Sequence, residues 1–299
     1  MNATRLTLYA AFAANATIAV TKFIAAAVTH SSALFSEGLH SVVDTGDGLL
    51  VLLGLRLSRR PATPKHPYGY GRETYFWTTV VAMSIFGAGG VVSIYEGIRH
   101  LAAPELPRDP LWSYVVLAIA FAFEGASWLV SLRAFRRVRG KRGVWEAIER
   151  SKDPATFIIV LEDSAALAGI LAAASGLALA YVLDAPAFDA IASLVIGALL
   201  VVVGVILGRE TRSLLLGESA TREVVASIRE VARAQPGVAD VLVPRTVHLA
   251  PDLVHVDLDL RLDGTRDAVE TARRVEAAVR AKHPQVHRVS VRFPELPAA

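Results

Sequence analysis

The chain has 299 residues, of which 53% are hydrophobic and only 20% charged, more apolar surface than one water-soluble core of this size needs. It has no cysteine, which excludes disulfides, thiolate metal sites and thiol chemistry. Its formal charge of +3 comes from Lys and Arg beside the apolar stretches, a placement that points to membrane topology and away from nucleic acid.

Six apolar stretches are long enough to cross a bilayer, which takes about 20 residues of helix: 6–29, 33–57, 74–101, 110–132, 155–183 and 187–208. The first runs well beyond a signal-peptide core and is followed by further spans. Asp109-Pro110 and Asp153-Pro154 read as helix starts, with Asp capping free N–H groups and Pro in the first turn. Asp184-Ala-Pro186 separates the fifth span from the sixth. Gly87-Ala-Gly-Gly90 in the third span reads as a close helix-packing patch, because small residues deep in a span let backbones approach.

Lys and Arg set the orientation. Arg59, Arg60, Lys65 and Arg72 follow the second span, and the segment after the fourth carries Arg133, Arg136, Arg137, Arg139, Lys141, Arg142, Arg150 and Lys152. The connections after spans one and five carry none, so both termini are expected on the cytoplasmic side of a cell (plasma) membrane. An all-α six-helix transmembrane domain is expected over 1–208 and a small cytoplasmic α+β domain over 209–299. The latter reads as helix 221–234, strand 238–249, strand 253–262, helix 266–283 and strand 286–293. In the second strand Val254, Val256, Leu258, Leu260 and Leu262 alternate with polar residues, the pattern of a half-buried strand. The order αββαβ predicts a small sheet with two helices on one side.

Ionisable groups inside a membrane helix cost about 2.5–3.5 kcal/mol each on insertion scales and mark substrate paths. Span two holds Glu37, His40, Asp44 and Asp47. At about 100° per residue they fall within a stripe about 80° wide. His40 and Asp44, four residues apart, offer a nitrogen and an oxygen to one ion, a combination suited to zinc and neighbouring divalent metals. Asp163 of span five is expected as a third ligand, with Glu162, water or Glu124 of span four as a fourth. Glu124 could instead pair with Lys22 of span one. If Pro251-Asp252 is a two-residue turn, His248 and His255 lie side by side across a hairpin, a second candidate metal seat. Ser41 projects about 100° away from His40 on the same helix, and no nucleophile elbow accompanies it, so no enzyme is expected.

The ordered motifs Glu37-Gly-Leu-His40-Ser-Val-Val-Asp44-Thr-Gly-Asp47, His66-Pro-Tyr-Gly-Tyr-Gly-Arg72, Ser151-Lys-Asp-Pro154 and Leu161-Glu-Asp163 resemble the cation diffusion facilitator family, nearest its zinc transporter 9-like branch. The resemblance covers nearly the whole chain. It implies a ferredoxin-like tail and a homodimer that exports Zn²⁺ or a related ion in exchange for protons, without a cofactor. It also implies two metal ligands from helix two and two from helix five, spaced H/D-x-x-x-D on each. His40 and Asp44 match the first pair and Asp163 the last position. The first helix-five position falls on Ile159, which cannot bind metal, and Glu162 is the nearest substitute. A membrane metal sensor or scaffold without flux, and a carrier of Mn²⁺, Co²⁺ or Fe²⁺, are the alternative readings.

Overall fold

The computed structural model describes residues 3–264 and 266–294; the outer limits expected for the two domains, residues 1 and 299, lie outside them. Ten α-helices and four strands follow in the order α1 (Ala3–Thr29), α2 (Ser32–Ser58), α3 (Glu73–Ser84), α4 (Val92–Ala102), α5 (Pro110–Arg139), α6 (Val144–Arg150), α7 (Pro154–Val182), α8 (Ala187–Leu216), α9 (Arg222–Arg233), β1 (Val238–Val241), β2 (Arg245–Ala250), β3 (Leu253–Leu262), α10 (Ala268–Lys282) and β4 (Val286–Arg292). A π-helical turn, Ile85–Val91, joins α3 to α4. Among the described residues five helices are long and apolar enough to cross a membrane: Ser32–Ser58, Glu73–Ala102, Pro110–Arg139, Phe157–Val182 and Ala187–Leu216. The chain forms two compact units, one of residues up to 54 with 76–211, the other of 55–75 with 212 onwards.

In the first unit, α2 is anchored at its start by a complete cap. Its first free N–H groups, those of Ser32 and Ala33, donate to the Asp189 carboxylate of α8 at 2.6 and 3.4 Å. The next, Leu34 N–H, donates to Ser31 Oγ at 3.2 Å, and Phe35 N–H closes the first turn onto the Ser31 carbonyl. Ser31 and Ser32 hydroxyls also donate to Asp189, at 2.6 and 3.0 Å. Every donor that a helix start leaves open is thereby met, and a carboxylate stands at the positive end of the helix dipole. Below it Ser36 Oγ and Ser193 Oγ lie 2.6 Å apart, and Ser193 Oγ donates to the Ser93 carbonyl at 3.0 Å, tying α2, α8 and α4.

The expected small-residue patch is where the π turn meets α8. A Cβ on Gly90 would stand 2.9 Å from Val201 N, and one on Gly197 2.9 Å from the Gly90 carbonyl oxygen. The two backbones are in contact at Gly90, as the sequence predicts, whereas a Cβ on Gly87 would meet nothing within 4 Å and Ala88 is exposed. At α5 the outcome differs from expectation. Asp109 takes a left-handed backbone (φ 45°) and its side chain makes no capping hydrogen bond; Trp112 N–H is met by the Asp109 carbonyl instead. The amphipathic helix α6, inside the basic segment, was not anticipated because seven residues between charge-rich loops leave little periodicity to read.

In the second unit the strand expected over 238–249 is two strands. Leu242–Pro244 interrupts it, and Pro244 has no N–H to give to a ladder. β2 pairs antiparallel with the first half of β3, β1 antiparallel with its last residues, and β4 parallel with its middle. Val254, Val256, Leu258 and Leu260 face a core shared with Ile228 and Ala232 of α9 and Val275 and Val279 of α10. Asp267 caps α10 by accepting from Glu270 N–H at 2.9 Å.

Candidate metal path between the helices

On the α2 stripe Glu37, His40 and Asp47 are buried and Asp44 is half-buried. Glu37 is fully buried and accepts from the Lys22 ammonium of α1 at 3.0 Å; the same ammonium donates to Ser41 Oγ at 2.8 Å. Lys22 therefore pairs with Glu37, and not with Glu124, which stands half-buried on α5. Glu37 fits because α7 presents Gly169 to it, where a Cβ would fall on Glu37 Oε1. Asp47 is met on one oxygen only, Ser84 of α3 donating to its Oδ1 at 2.6 Å while its buried Oδ2 has no partner.

His40 and Asp44 carry no such partners. His40 is 3% exposed, and its buried Nδ1 has no hydrogen-bond partner. An orphaned imidazole nitrogen inside a helix bundle is what an absent ligand would leave behind. On α7, Glu162 and Asp163 are both buried, at 7% and 6% exposure. Glu162 Oε1 is likewise unpartnered. Asp163 Oδ2 takes a short 2.6 Å hydrogen bond from Ser131 of α5, and Ser127 lies 3.3–3.4 Å from both its oxygens. The Trp128 indole N–H donates to Ser164 Oγ at 2.9 Å and fixes α5 against α7 at the same level.

The two helices bring their charges to bear on one another. Asp44 interacts electrostatically with Asp163, and Glu162 with Asp44, Asp47 and Asp163. The ligand atoms are not gathered to a point, however. Among the described residues no group of three or more His, Asp or Glu side chains is arranged to hold a metal ion. Ile159, where the family spacing puts a further ligand, is 45% exposed on the outside of the bundle.

The second candidate seat is corrected by the register. Pro251-Asp252 does form the turn, with Ala250 opposite Leu253, but the ladder slips at Leu249 so that His248 faces Val254 and Val247 faces His255. One bulged residue moves a side chain to the other face of a strand. His248 is buried on the core side with Nδ1 3.2 Å from the Ala250 carbonyl oxygen. His255 is on the opposite face, 3.2 Å from Asp257 Oδ1 and edge-on to Tyr68. The bulge has a neighbour: Gly71 of the His66–Arg72 motif lies so close to it that a Cβ would stand 2.5 Å from the Leu249 carbonyl oxygen.

Sequence reasoning missed Ser127, Ser131, Gly169 and Asp189. Ser127 and Ser131 carried a readable signal, two hydroxyls four residues apart on one helix face. Asp189 and Gly169 carried none, because nothing local says which helix they meet.

The chain matches the cation efflux transmembrane domain over residues 8–216 and the cation efflux protein cytoplasmic domain over 220–293. It is 33% identical over 81% of its length to the mouse protein named proton-coupled zinc antiporter SLC30A9, mitochondrial. It is 31% identical over 68% of its length to metal tolerance protein C4 of Arabidopsis thaliana. A probable cation efflux system protein of Mycobacterium tuberculosis is 26% identical over 94% of the chain and 77% of its own length. The chain spans 43% of the mouse protein and 45% of the Arabidopsis one. Membrane-length helices, buried ionisable side chains facing across them and both domain matches agree that the chain is a multi-pass membrane protein belonging to the cation efflux, or cation diffusion facilitator, family.

Proposed function

We propose that the chain is a carrier of divalent transition-metal ions, Zn²⁺ first among them, that exports metal from the cytoplasm in exchange for protons. It acts as a homodimer in the cell's plasma membrane, with a six-helix domain over 1–208, a ferredoxin-like domain over 209–299 and both termini cytoplasmic. The mouse and human relatives are named as mitochondrial proteins. The observation that carries the reading is that His40 Nδ1 on α2 and Glu162 Oε1 on α7 are buried without partners, as are Glu37 Oε1 and Asp47 Oδ2 on the same stripe of α2, with Asp44 one turn from His40 and Asp163 next to Glu162.

In the proposed cycle the ion is cargo, met by His40, Asp44 and Asp163, with Glu162 in the place that Ile159 cannot fill. Neutral imidazole and ionised carboxylates bind metal, so protons compete for the same atoms and exchange follows from the ligand chemistry. Asp163 Oδ1, with only a 3.4 Å contact to Ser127, is the freer oxygen to turn toward the ion, while Ser131 holds Oδ2. Hydrogen bonds of this kind to a ligating carboxylate are worth about 10–100-fold in metal affinity. Ser127→Ala with Ser131→Ala should therefore weaken Zn²⁺ binding by about that factor, read by calorimetry on detergent-purified protein, and unchanged affinity would exclude Asp163 as a ligand held by α5.

The test of the function is flux in proteoliposomes with a pH gradient, offering Zn²⁺, Co²⁺, Mn²⁺ and Fe²⁺ in turn. Proton-coupled movement of one ion names the cargo. Binding without flux for any of them supports the sensor reading instead.

A further inference from the structure

One buried charge takes no part in that account. The Lys22 side chain is 0% exposed, in the middle of an otherwise apolar stretch of α1, and its ammonium is held by Glu37 Oε2 and Ser41 Oγ. Glu37 belongs to the stripe that carries His40 and Asp44, and Ser41 lies on the flank of that stripe, so a fixed cation sits at the edge of the row of proposed ligands. Its charge bears on both His40 and Asp44. A buried ion pair is weak as a stabiliser, since desolvation cancels much of its attraction, and helices adhere as well without one. The pair is also asymmetric: Glu37 Oε1 has no partner, and α7 leaves room for it at Gly169.

We propose that Lys22 sets the affinity of the metal path, a tethered cation whose repulsion of a bound divalent ion, set against the neighbouring Glu37, fixes how tightly the site holds its cargo. The proposal rests on the reading of His40 and Asp44 as ligands. Repulsion scales with the charge of the ion, so Lys22 bears most on multivalent cargo and makes release from a carboxylate-rich site easier. Without the ammonium, Glu37 adds a negative charge, the metal is held more tightly and turnover slows.

The sign of the effect separates this role from simple packing. Lys22→Gln keeps a donor for Glu37 and Ser41 but loses the charge; Glu37→Gln keeps the shape but leaves the ammonium unopposed. Zn²⁺ affinity is measured by calorimetry on detergent-purified protein, with a gel-filtration check of folding, and maximal flux in proteoliposomes. Lys22→Gln should bind at least about tenfold more tightly and transport more slowly at saturation, and Glu37→Gln should bind about tenfold more weakly. The double variant should return close to the parent value. Shifts of the same sign in both single variants, or shifts under twofold, would overturn the proposal. If Lys22→Gln does not fold, Lys22→Arg carries the test: it must retain parent affinity, and a tenfold change in it overturns the role. Asp44→Ala runs beside them as the control for the underlying reading. Binding that survives Asp44→Ala removes the proposed site itself, whereas binding lost there and unmoved by Lys22→Gln removes only the role of Lys22.

Discussion

Replacing Asp189 with Ala should destabilise the membrane unit by about 3–5 kcal/mol, since it strands several buried donors at about 1–3 kcal/mol each. The carboxylate is fully buried and receives two backbone N–H groups and two hydroxyls from the first turn of α2. Its removal leaves Ser32 and Ala33 N–H groups without acceptors at the end of a helix dipole, where a nearby negative charge is worth up to about 2 kcal/mol in buried geometry. His100 Nε2, 3.9 Å from the same carboxylate, would lose its nearest anion. Asp189→Asn should recover part of the loss, because an amide oxygen still accepts hydrogen bonds but brings no charge. Thermal unfolding of purified protein in detergent reads both, and a parent-like midpoint in Asp189→Ala would show that the cap does not hold α2. Because His40 and Asp44 ride on α2, metal affinity should fall along with stability.

Gly197→Val should prevent a well-folded membrane unit from accumulating, while Gly87→Ala should be tolerated. At Gly197 a Cβ would meet Ile94 N at 2.8 Å and the Gly90 carbonyl oxygen at 2.9 Å, both backbone atoms that no rotamer can move aside. Overpacking in a core costs about 1–3 kcal/mol where side chains can shift, and backbone contact leaves no such escape. At Gly87 a Cβ meets nothing within 4 Å. The yield of monodisperse protein distinguishes the two, and equal yields would mean that α8 and the π turn do not touch as described.

Elements were far more legible than contacts. The apolar stretches expected at 33–57, 74–101, 110–132 and 187–208 each fall within one continuous helical run, because a span's length and composition are local properties. The π turn at Ile85–Val91 was not legible, since a single i→i+5 turn leaves the hydrophobic pattern almost unchanged. The bulge at Leu249 shows the limit most clearly. The turn at Pro251-Asp252 was predictable from its residues, yet one slipped register separated His248 from His255. In the candidate site, the stripe Glu37, His40, Asp44 and Asp47 follows from helical periodicity, but how its charges are shared does not. That Lys22 takes Glu37, Ser84 takes Asp47, and His40 is left unpartnered depends on the rotation of α1 and α3 against α2. The same holds for Ser131 and Asp163, which meet only because α5 and α7 pack along their length.

The proposed carrier passes its divalent ion between α2 and α7. Zn²⁺ flux into proteoliposomes under a fixed pH gradient should fall at least about 100-fold in Asp44→Ala and in Asp163→Ala, since a metal site built on three ligands rarely survives loss of one. Gly87→Ala should keep its flux, and proton movement should stop in step with the metal in the two Asp variants. Zn²⁺ flux at the parent rate in either Asp variant, with the protein folded, would contradict the account.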